Sequence, residues 1–508
     1  MAKIVTVFVI LLALIIGLYG WQDHVVWGFD QSRDAFEAAN IWQKFDIKLL
    51  GPSSDIPGVF HGPLWYYFLA PLYFFTGGNP NPVSFIFAGT LFLSAILVWI
   101  LSQKLFKNRL VSGMAVSLYV LAPLFQSYTR WMSNPMLALF IAPAIMIFMW
   151  EYFQKRSPAL AGIIGLLFGL LIQSDVAFGI LLLLLPLYFL AFKLRAKLSD
   201  AAAFIGGLAI GVGTFIIADF KFNGRMTVSL LNFLVKGNES TIPASGVLLQ
   251  LFDRLSDFLS FTVLPFPKLL IIILVFVFIR KLNLAAKPVI FLLIWLVNII
   301  IFQLFSTGIS GSGFVFAPSL AVLVILATSV LSKYKWLVLI IFAAQFGLNL
   351  KWLNTGYSPV SVQRGVTLTA EEKIIDYTYQ ESKGEPFIIV GLTNPLYINT
   401  NWAYLYEFYG QKKYGYLPFW AGKSQKGYLG NLPDKTFDTK WRFLILEQTA
   451  GIPDIYVTKT IYEEDLLSDV VEVKKFSGLT VQKRQFHPDK GPVEIPEALK
   501  LAPKILAE

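Results

Sequence analysis

The residues best able to do chemistry in this 508-residue chain are concentrated in one short segment. Gly28-Phe29-Asp30-Gln31-Ser32-Arg33-Asp34-Ala35-Phe36 places two acids around a guanidinium. With residues 31–45 helical, Asp30 and Asp34 lie four apart and share a face. Arg33 then reaches either acid, or a ligand. An acid held near a membrane surface can serve as a general base. Two acids at a helix start also suit N-capping and the helix macrodipole, so a structural role explains the same pattern.

A second segment follows, with Gly51-Pro52 and then Gly58-Val59-Phe60-His61-Gly62-Pro63-Leu64-Trp65-Tyr66-Tyr67. Glycine and proline set tight turns ahead of an amphipathic helix. On physics alone that helix is an aromatic membrane anchor. Further polar residues stand at the ends of apolar runs: Arg130 with Asn134-Pro135, Gln173 with Asp175, and Asp219 with Lys221. A polar residue near lipid is a functional candidate, although snorkelling to the interface accounts for each one taken alone. Their common side is the stronger signal. Asp30, Asp34, Arg130, Gln173, Asp175, Asp219 and Lys221 are expected to line one outer cavity.

The chain has no cysteine and only three histidines, His24, His61 and His487. Thiolate sites are therefore excluded, and a histidine metal cluster is not expected. The acids form no ligand set of recognisable spacing, so no metal or other cofactor is expected.

The elements that must position these groups are membrane helices. Hydrophobic residues make up 56% of the chain and charged residues only 15%, against about 25% charge in soluble domains. About 18–20 helical residues cross a hydrocarbon core of roughly 30 Å. The apolar runs lack the alternation of a barrel, so helices are the spanning elements. Eleven spans are expected, near residues 4–20, 83–101, 110–128, 134–150, 158–172, 176–192, 201–218, 262–279, 288–305, 313–332 and 336–351. The first is read as a retained helix, because no small-residue cleavage pattern follows Gly20.

Basic residues orient the bundle. Lys104, Lys107 and Arg109, Lys155 and Arg156, Lys193, Arg195 and Lys197, Arg280, Lys281 and Lys287, and Lys333 and Lys335 all fall in loops of one side. That side is cytoplasmic by the positive-inside rule. Much of the net charge of +10 lies in these loops facing anionic lipid, so nucleic acid is not an expected partner. His61 to Thr76 is short, holds Pro63 and Pro71, and is rich in Trp and Tyr. It reads as an interfacial or re-entrant helix on the outer side. The N-terminus is then inside and the C-terminus outside.

The expected fold is a polytopic α-helical membrane protein with about eleven transmembrane helices and a small α/β extracytoplasmic C-terminal domain. The expected division is a transmembrane domain over 1–353 with an outer loop at 21–82, an α/β domain over 354–486, and a flexible Pro- and Lys-rich tail over 487–508. Pro386 to Val390 and Trp441 to Leu446 read as strands, and Asn401 to Gly410 as a helix with an aromatic face.

An acidic first outer loop, a Gly-Pro turn, a Pro-Leu-aromatic juxtamembrane helix, many spans and an outer C-terminal domain together form a known pattern. The chain resembles the GT-C superfamily of polytopic glycosyltransferases, in the protein O-mannosyltransferase-like and aminoarabinose-transferase-like branch, glycosyltransferase family 39. The motif-level match covers residues 28–76 with Arg130 to Pro135, and the architecture covers roughly 1–350. The resemblance implies a multi-pass protein of the plasma membrane that transfers a sugar from a polyprenyl-phosphate carrier to an acceptor hydroxyl on the extracytoplasmic face. That acceptor is a glycan, lipid or protein. The family carries Asp-Glu followed by an aromatic residue in this loop, and its Asp is held to be essential. Asp30 matches that Asp, whereas Gln31 stands where the Glu would be, which leaves Asp34 as a substitute acid. The resemblance further implies inversion with an Asp base. Arg33, Arg130 or Lys221 would hold the donor phosphate. His61, Trp65, Tyr66, Asn134, Gln173, Asp175 and Asp219 would contact substrate.

Three other readings share parts of this pattern. A lipid-linked sugar transporter would show internal repeats and broken midplane helices. A polysaccharide polymerase or ligase would carry its large outer loop between late spans. A non-catalytic assembly or sensor protein would use the C-terminal domain for binding.

Overall fold

A computed structural model describes residues 2–195, 197–236, 244–305, 313–358, 364–423, 432–491 and 493–507. The chain divides into two compact units. The first comprises residues 1–19, 45–68 and 85–355, and the second comprises 20–44, 69–84 and 356–508.

The first unit is helical. Among the described residues four helices are long and apolar enough to cross a membrane: Pro80–Phe106, Asn134–Lys155, Phe314–Leu331 and Trp336–Thr355. Leu198–Gly211 and Gly213–Lys221 make a fifth if their 63° bend lies within one span. Six shorter apolar helices accompany them, including Val7–Leu18, Arg109–Leu121, Pro158–Ser174 and Lys287–Phe302. The protein is thus a multi-pass membrane protein. Among the described residues helices lie over parts of all eleven expected stretches, and four or five of them meet the length and composition of a span, because several stretches are short or broken.

The breaks have local causes. Ala122 precedes Pro123 and is extended, with φ −53° and ψ 126°, since proline disfavours helical backbone in the residue before it. The break separates Arg109–Leu121 from Pro123–Tyr128. It frees carbonyls at Val120 and Leu121, and side chains satisfy both. Gln126 Nε2 donates to Val120 O at 2.6 Å, and Asn349 Nδ2 donates to Leu121 O at 2.8 Å. The expected break at Gln173-Ser174-Asp175 is present. Pro158–Ser174 ends there, and Asp175 caps the 3₁₀ helix Val176–Leu184 by accepting from Ala177 N at 2.9 Å.

Glycine lets Pro158–Ser174 and Leu198–Gly211 pack backbone to backbone. A Cβ on Gly207 would stand 2.0 Å from Gly162 O, and one on Gly165 would stand 2.0 Å from Phe204 O. Close approach through small residues replaces the hydrophobic drive that lipid removes.

In the second unit a five-stranded sheet has the order β2-β1-β3-β5-β4. The strands are β1 (Phe387–Leu392), β2 (Phe419–Trp420), β3 (Trp441–Leu446), β4 (Ser468–Phe476) and β5 (Leu479–Phe486). β1 runs parallel to β2 and β3, and β5 runs antiparallel to β3 and β4. β1 is wholly buried, as its apolar run Phe-Ile-Ile-Val requires. Both predicted strands are found, at β1 and β3. The predicted aromatic helix is Thr400–Leu405, which continues as a π-helix over Tyr406–Gln411. In the tail, Glu497–Lys500 and Pro503–Ala507 are short helices.

Residues 20–44 and 69–84 are tied to this sheet unit by specific bonds. Leu368 N donates to Val25 O at 3.0 Å, and Thr369 Oγ1 to Gln22 O at 2.7 Å. Tyr404 OH donates to Gly78 O at 2.7 Å. Gly78 has φ +86°, and a Cβ there would lie 2.1 Å from the Phe408 ring, so only glycine fits.

The glycine contact gives a direct test. Gly207→Leu should lower stability by about 3 kcal/mol or more, because backbone rather than a side chain must move. Gly206→Leu, with nothing within 4 Å of its Cβ position, should melt close to wild type. Thermal melting of both variants in one detergent checks the contrast.

Candidate functional site

The acid-bearing segment is helical over Phe29–Gln43, beginning two residues before the expected start. Gly28 is its N-cap, and Ser32 N and Ser32 Oγ both donate to Gly28 O, at 3.1 and 2.6 Å. The aromatic rings of the second unit hold this helix. Phe36 meets Tyr404 edge-on at 4.9 Å, Tyr404 stacks on Phe408 at 4.4 Å, and Trp27 meets Tyr404 at 5.7 Å.

Arg33 joins the two acids as their spacing anticipates. Its Nη1 donates to Asp30 Oδ1 at 2.8 Å, and Nε and Nη2 donate to Asp34 Oδ1 at 3.0 and 2.8 Å. The two carboxylates differ in access: the Asp30 side chain is 58% exposed and that of Asp34 only 2%. The guanidinium also lies over the Phe29 ring at 5.3 Å. This arrangement presents one accessible carboxylate oriented by a cation, with a second, buried carboxylate fixing that cation.

The first unit gathers another part of the predicted set. Residues 51–62 fold back on themselves: Gly51 N donates to His61 O, and His61 N to Pro52 O, both at 2.8 Å. Neither Gly51 nor Gly62 has room for a Cβ. The one on Gly51 would stand 2.1 Å from Gly62 O, and the one on Gly62 would stand 2.6 Å from Gln173 Oε1. This close fit brings His61 to the turn at Asp175. His61 Nδ1 lies 3.6 Å from Asp175 Oδ1 and accepts from Val176 N at 3.3 Å. Gly62 N donates to Gln173 O at 2.9 Å, and Gln173 Nε2 to Gly211 O at 2.6 Å. Asn134 Nδ2 donates to Ser174 O at 2.5 Å, which sets the Arg130–Asn134 loop beside the same turn. Burial pushes the Asp175 carboxyl up, with the His61 ring and the Ala177 amide opposing.

Arg130 is buried, donates from Nη2 to Ile16 O at 2.7 Å, and leaves Nε without a hydrogen-bond partner among the described residues. Burial lowers its pKa to about 10. A cation buried without a carboxylate is poised for an anion from outside the chain.

The remaining predicted residues stand apart from these groups. Asp219 caps the helix Arg225–Lys236, accepting from Met226 N at 3.0 Å and from Thr227 N at 3.2 Å. Lys221 is exposed and lies over the Phe222 ring at 5.7 Å. Trp65 is fully buried, stacked on Phe68 at 5.6 Å and edge-on to Phe87 at 5.6 Å. Tyr66 is buried too.

A cavity of about 1030 Å³ adjoins the His61 turn in the first unit. Val59, Ile172, Val176, Phe215, Leu230 and Phe233 give it a mainly apolar wall, and Asp219, Asn223 and Thr227 add polar edges. Among the described residues no three His, Asp or Glu side chains gather as a metal-ligating group.

Sequence reasoning did not find a buried carboxyl pair in the second unit. Glu371 and Glu447 both accept from Asn401 Nδ2, at 3.3 and 3.2 Å. Glu447 also accepts from Trp402 Nε1 at 2.7 Å and from Asn394 N at 2.8 Å. Burial pushes Glu371 well above the usual carboxyl range, and Glu447 beside it adds to the shift. Burial likewise pushes Glu447 up to about 7, against its hydrogen bonds. In the sequence Glu371 looks like an ordinary first-turn acid behind the capping Thr367, and nothing local marks it as buried.

No protein-family profile matches the chain, and no curated protein is detectably related to it in sequence. Among solved structures, the crystal structure of ArnT from Cupriavidus metallidurans bound to undecaprenyl phosphate is similar with a TM-score of 0.59 at 12% identity, over 96% of this chain and 99% of that one. The Archaeoglobus fulgidus oligosaccharyltransferase in its apo form has a TM-score of 0.43 at 13% identity, over 79% and 63%. The chain thus shares the fold of the ArnT structure.

The carboxyl pair sets a pH dependence. Both pKa values are raised in the folded state, so folding takes up protons. The Glu447 contribution is full below the unfolded carboxyl pKa of about 4.3 and is lost as pH rises through about 7, and Glu371 acts in the same direction. The melting temperature should therefore fall between pH 5 and pH 8, and Glu371→Gln should flatten that slope. Differential scanning fluorimetry across this range reads both effects.

Proposed function

We propose that this chain is a membrane glycosyltransferase that moves a sugar from a polyprenyl-phosphate donor to an acceptor hydroxyl on the extracytoplasmic side, with inversion. The observation that carries this reading is the apolar cavity of about 1030 Å³, large enough for part of an isoprenoid chain, whose wall includes Val176, the residue after Asp175 and the donor to His61. Apolar walls suit the chain and a polar edge suits the headgroup. The shared fold supports it, since the ArnT structure holds undecaprenyl phosphate.

In this reading Asp30 is the general base, because its carboxylate is accessible while that of Asp34 is buried. Asp30 accepts the proton of the acceptor hydroxyl as that oxygen bonds to the anomeric carbon. The bond from that carbon to the phosphate oxygen breaks, and the phosphate leaves with the electron pair. Asp34 keeps Arg33 in place, and Arg33 orients Asp30. The N–H groups of Arg33 are engaged by these acids. The phosphate therefore falls to Arg130, since Lys221 stands apart from it. Stabilising developing charge is usually the largest catalytic effect. His61, Asn134, Gln173 and Asp175 form the polar surface offered to the donor sugar, and Asp219 bounds the lipid cavity.

The test is transfer by the purified full chain in nanodiscs, given a panel of radiolabelled polyprenyl-phosphate sugars and membrane extract as acceptor source. Asp30→Asn should reduce transfer by about 10²–10⁴-fold with melting unchanged. Arg130→Gln should raise the donor KM. Full activity in Asp30→Asn would remove the base assignment, and full donor affinity in Arg130→Gln would remove the phosphate assignment.

A further inference from the structure

The second cavity of the first unit lies at the other end of helix Pro158–Ser174. Its lining includes Ala161 and Ile164, whereas Ile172 lines the large cavity. Ala161 and Ile172 are roughly 16 Å apart along the axis at 1.5 Å per residue. The smaller cavity holds about 210 Å³ and is walled by Phe153, Leu185, Tyr188, Phe189, Phe204 and Ile205. Apolar side chains beside it are open to the surroundings, with Leu190 78% and Leu198 88% exposed.

The rim of this cavity is cationic, and its acids are already engaged. Asp200 is buried and accepts from Tyr152 OH at 2.7 Å. Glu151 pairs with Lys104 and Lys155. Arg156 lies over the Tyr152 ring at 5.6 Å, and its Nη1 donates to Arg195 O at 3.2 Å. That bond ties Arg156, just after helix Ala138–Lys155, to Arg195. Lys197 itself lines the cavity. Lys197 thus lines the apolar groove, Arg156 lies over the lining residue Tyr152, and Arg195 is two residues from Lys197, and no carboxylate pairs with these three among the described residues.

We infer that this groove is a binding site for an anionic phospholipid, with an acyl chain against Phe153, Phe189 and Phe204 and the phosphate at Arg156, Arg195 and Lys197. An apolar slot alone would accept any lipid. The surplus of cations at its rim selects a headgroup with net negative charge. The position on the side of the basic loops separates it from the donor cavity at the opposite end of the same helix.

The experiment uses native mass spectrometry of the full chain in detergent with equimolar phosphatidylglycerol and phosphatidylcholine. Wild type should retain phosphatidylglycerol over phosphatidylcholine by at least about tenfold. The surface triple variant R156Q/R195Q/K197Q should lose that preference, and Ala161→Phe should lose retention by filling the groove with the cations intact. The triple variant changes only side chains outside the apolar wall at Arg156 and Arg195, with Lys197 at its edge, and carries the test if Ala161→Phe does not fold; its melting temperature is measured beside wild type. Equal retention of both lipids by wild type, or undiminished preference in the triple variant, would overturn the site. Displacement of phosphatidylglycerol by equimolar polyprenyl phosphate would overturn its assignment to phospholipid.

Discussion

A backbone N–H or C=O left bare in hydrocarbon costs several kcal/mol, and the first unit is organised around meeting that constraint where its helices break. At Ala122-Pro123 the carbonyls of Val120 and Leu121 lose their helical donors, and Gln126 and Asn349 supply amides instead. Phe261 O accepts from Leu124 N across the same break. At Ser174 the chain changes from α to 3₁₀ helix, with Asp175 capping the new turn and Asn134 meeting the Ser174 carbonyl. Polar side chains in these helices therefore do structural work at breaks, and the breaks create the non-helical backbone around which His61, Gln173 and Asp175 collect.

The acid-bearing helix is held by aromatic packing instead. Tyr404 is buried, touches Trp27, Phe36, Phe408 and Tyr73, and reaches Gly78 through its hydroxyl. Offset and edge-on rings add directional preference to area burial. That preference fixes the rotation of Phe29–Gln43, and rotation decides which acid meets solvent. Asp34 is on the buried side and Asp30 is not, although both contact one guanidinium.

Charge burial divides the molecule by purpose. Arg33 is neutralised by two acids, and Arg442 is held by both oxygens of Glu464 at 2.9 and 2.6 Å. Such pairs specify geometry, although Arg442 Nη1 has no hydrogen-bond partner among the described residues. Arg130 is buried, and among the described residues a carbonyl, that of Ile16, is what its side chain meets. The carboxylate, rather than the count of satisfied N–H groups, is what distinguishes Arg33 and Arg442 from Arg130.

The sequence by itself determined the membrane class, the break at Gln173-Ser174-Asp175, the strands at 387–392 and 441–446, and the shared face of Asp30 and Asp34. All of these follow from local rules of hydropathy, helical period and backbone freedom, which act over a few residues. Local hydropathy could not show how several apolar stretches are shortened or broken, because the breaks depend on side chains such as Asn349 that arrive from distant sequence. Tertiary structure alone decided that Asp30 is open and Asp34 closed, and that Arg33 serves the acids. It likewise made Asp219 a helix cap and Trp65 part of the packing, and it buried Glu371 beside Glu447. Each of these turns on partners brought in by the fold. Burial and pairing are properties of the whole chain, and no short stretch of sequence contains them.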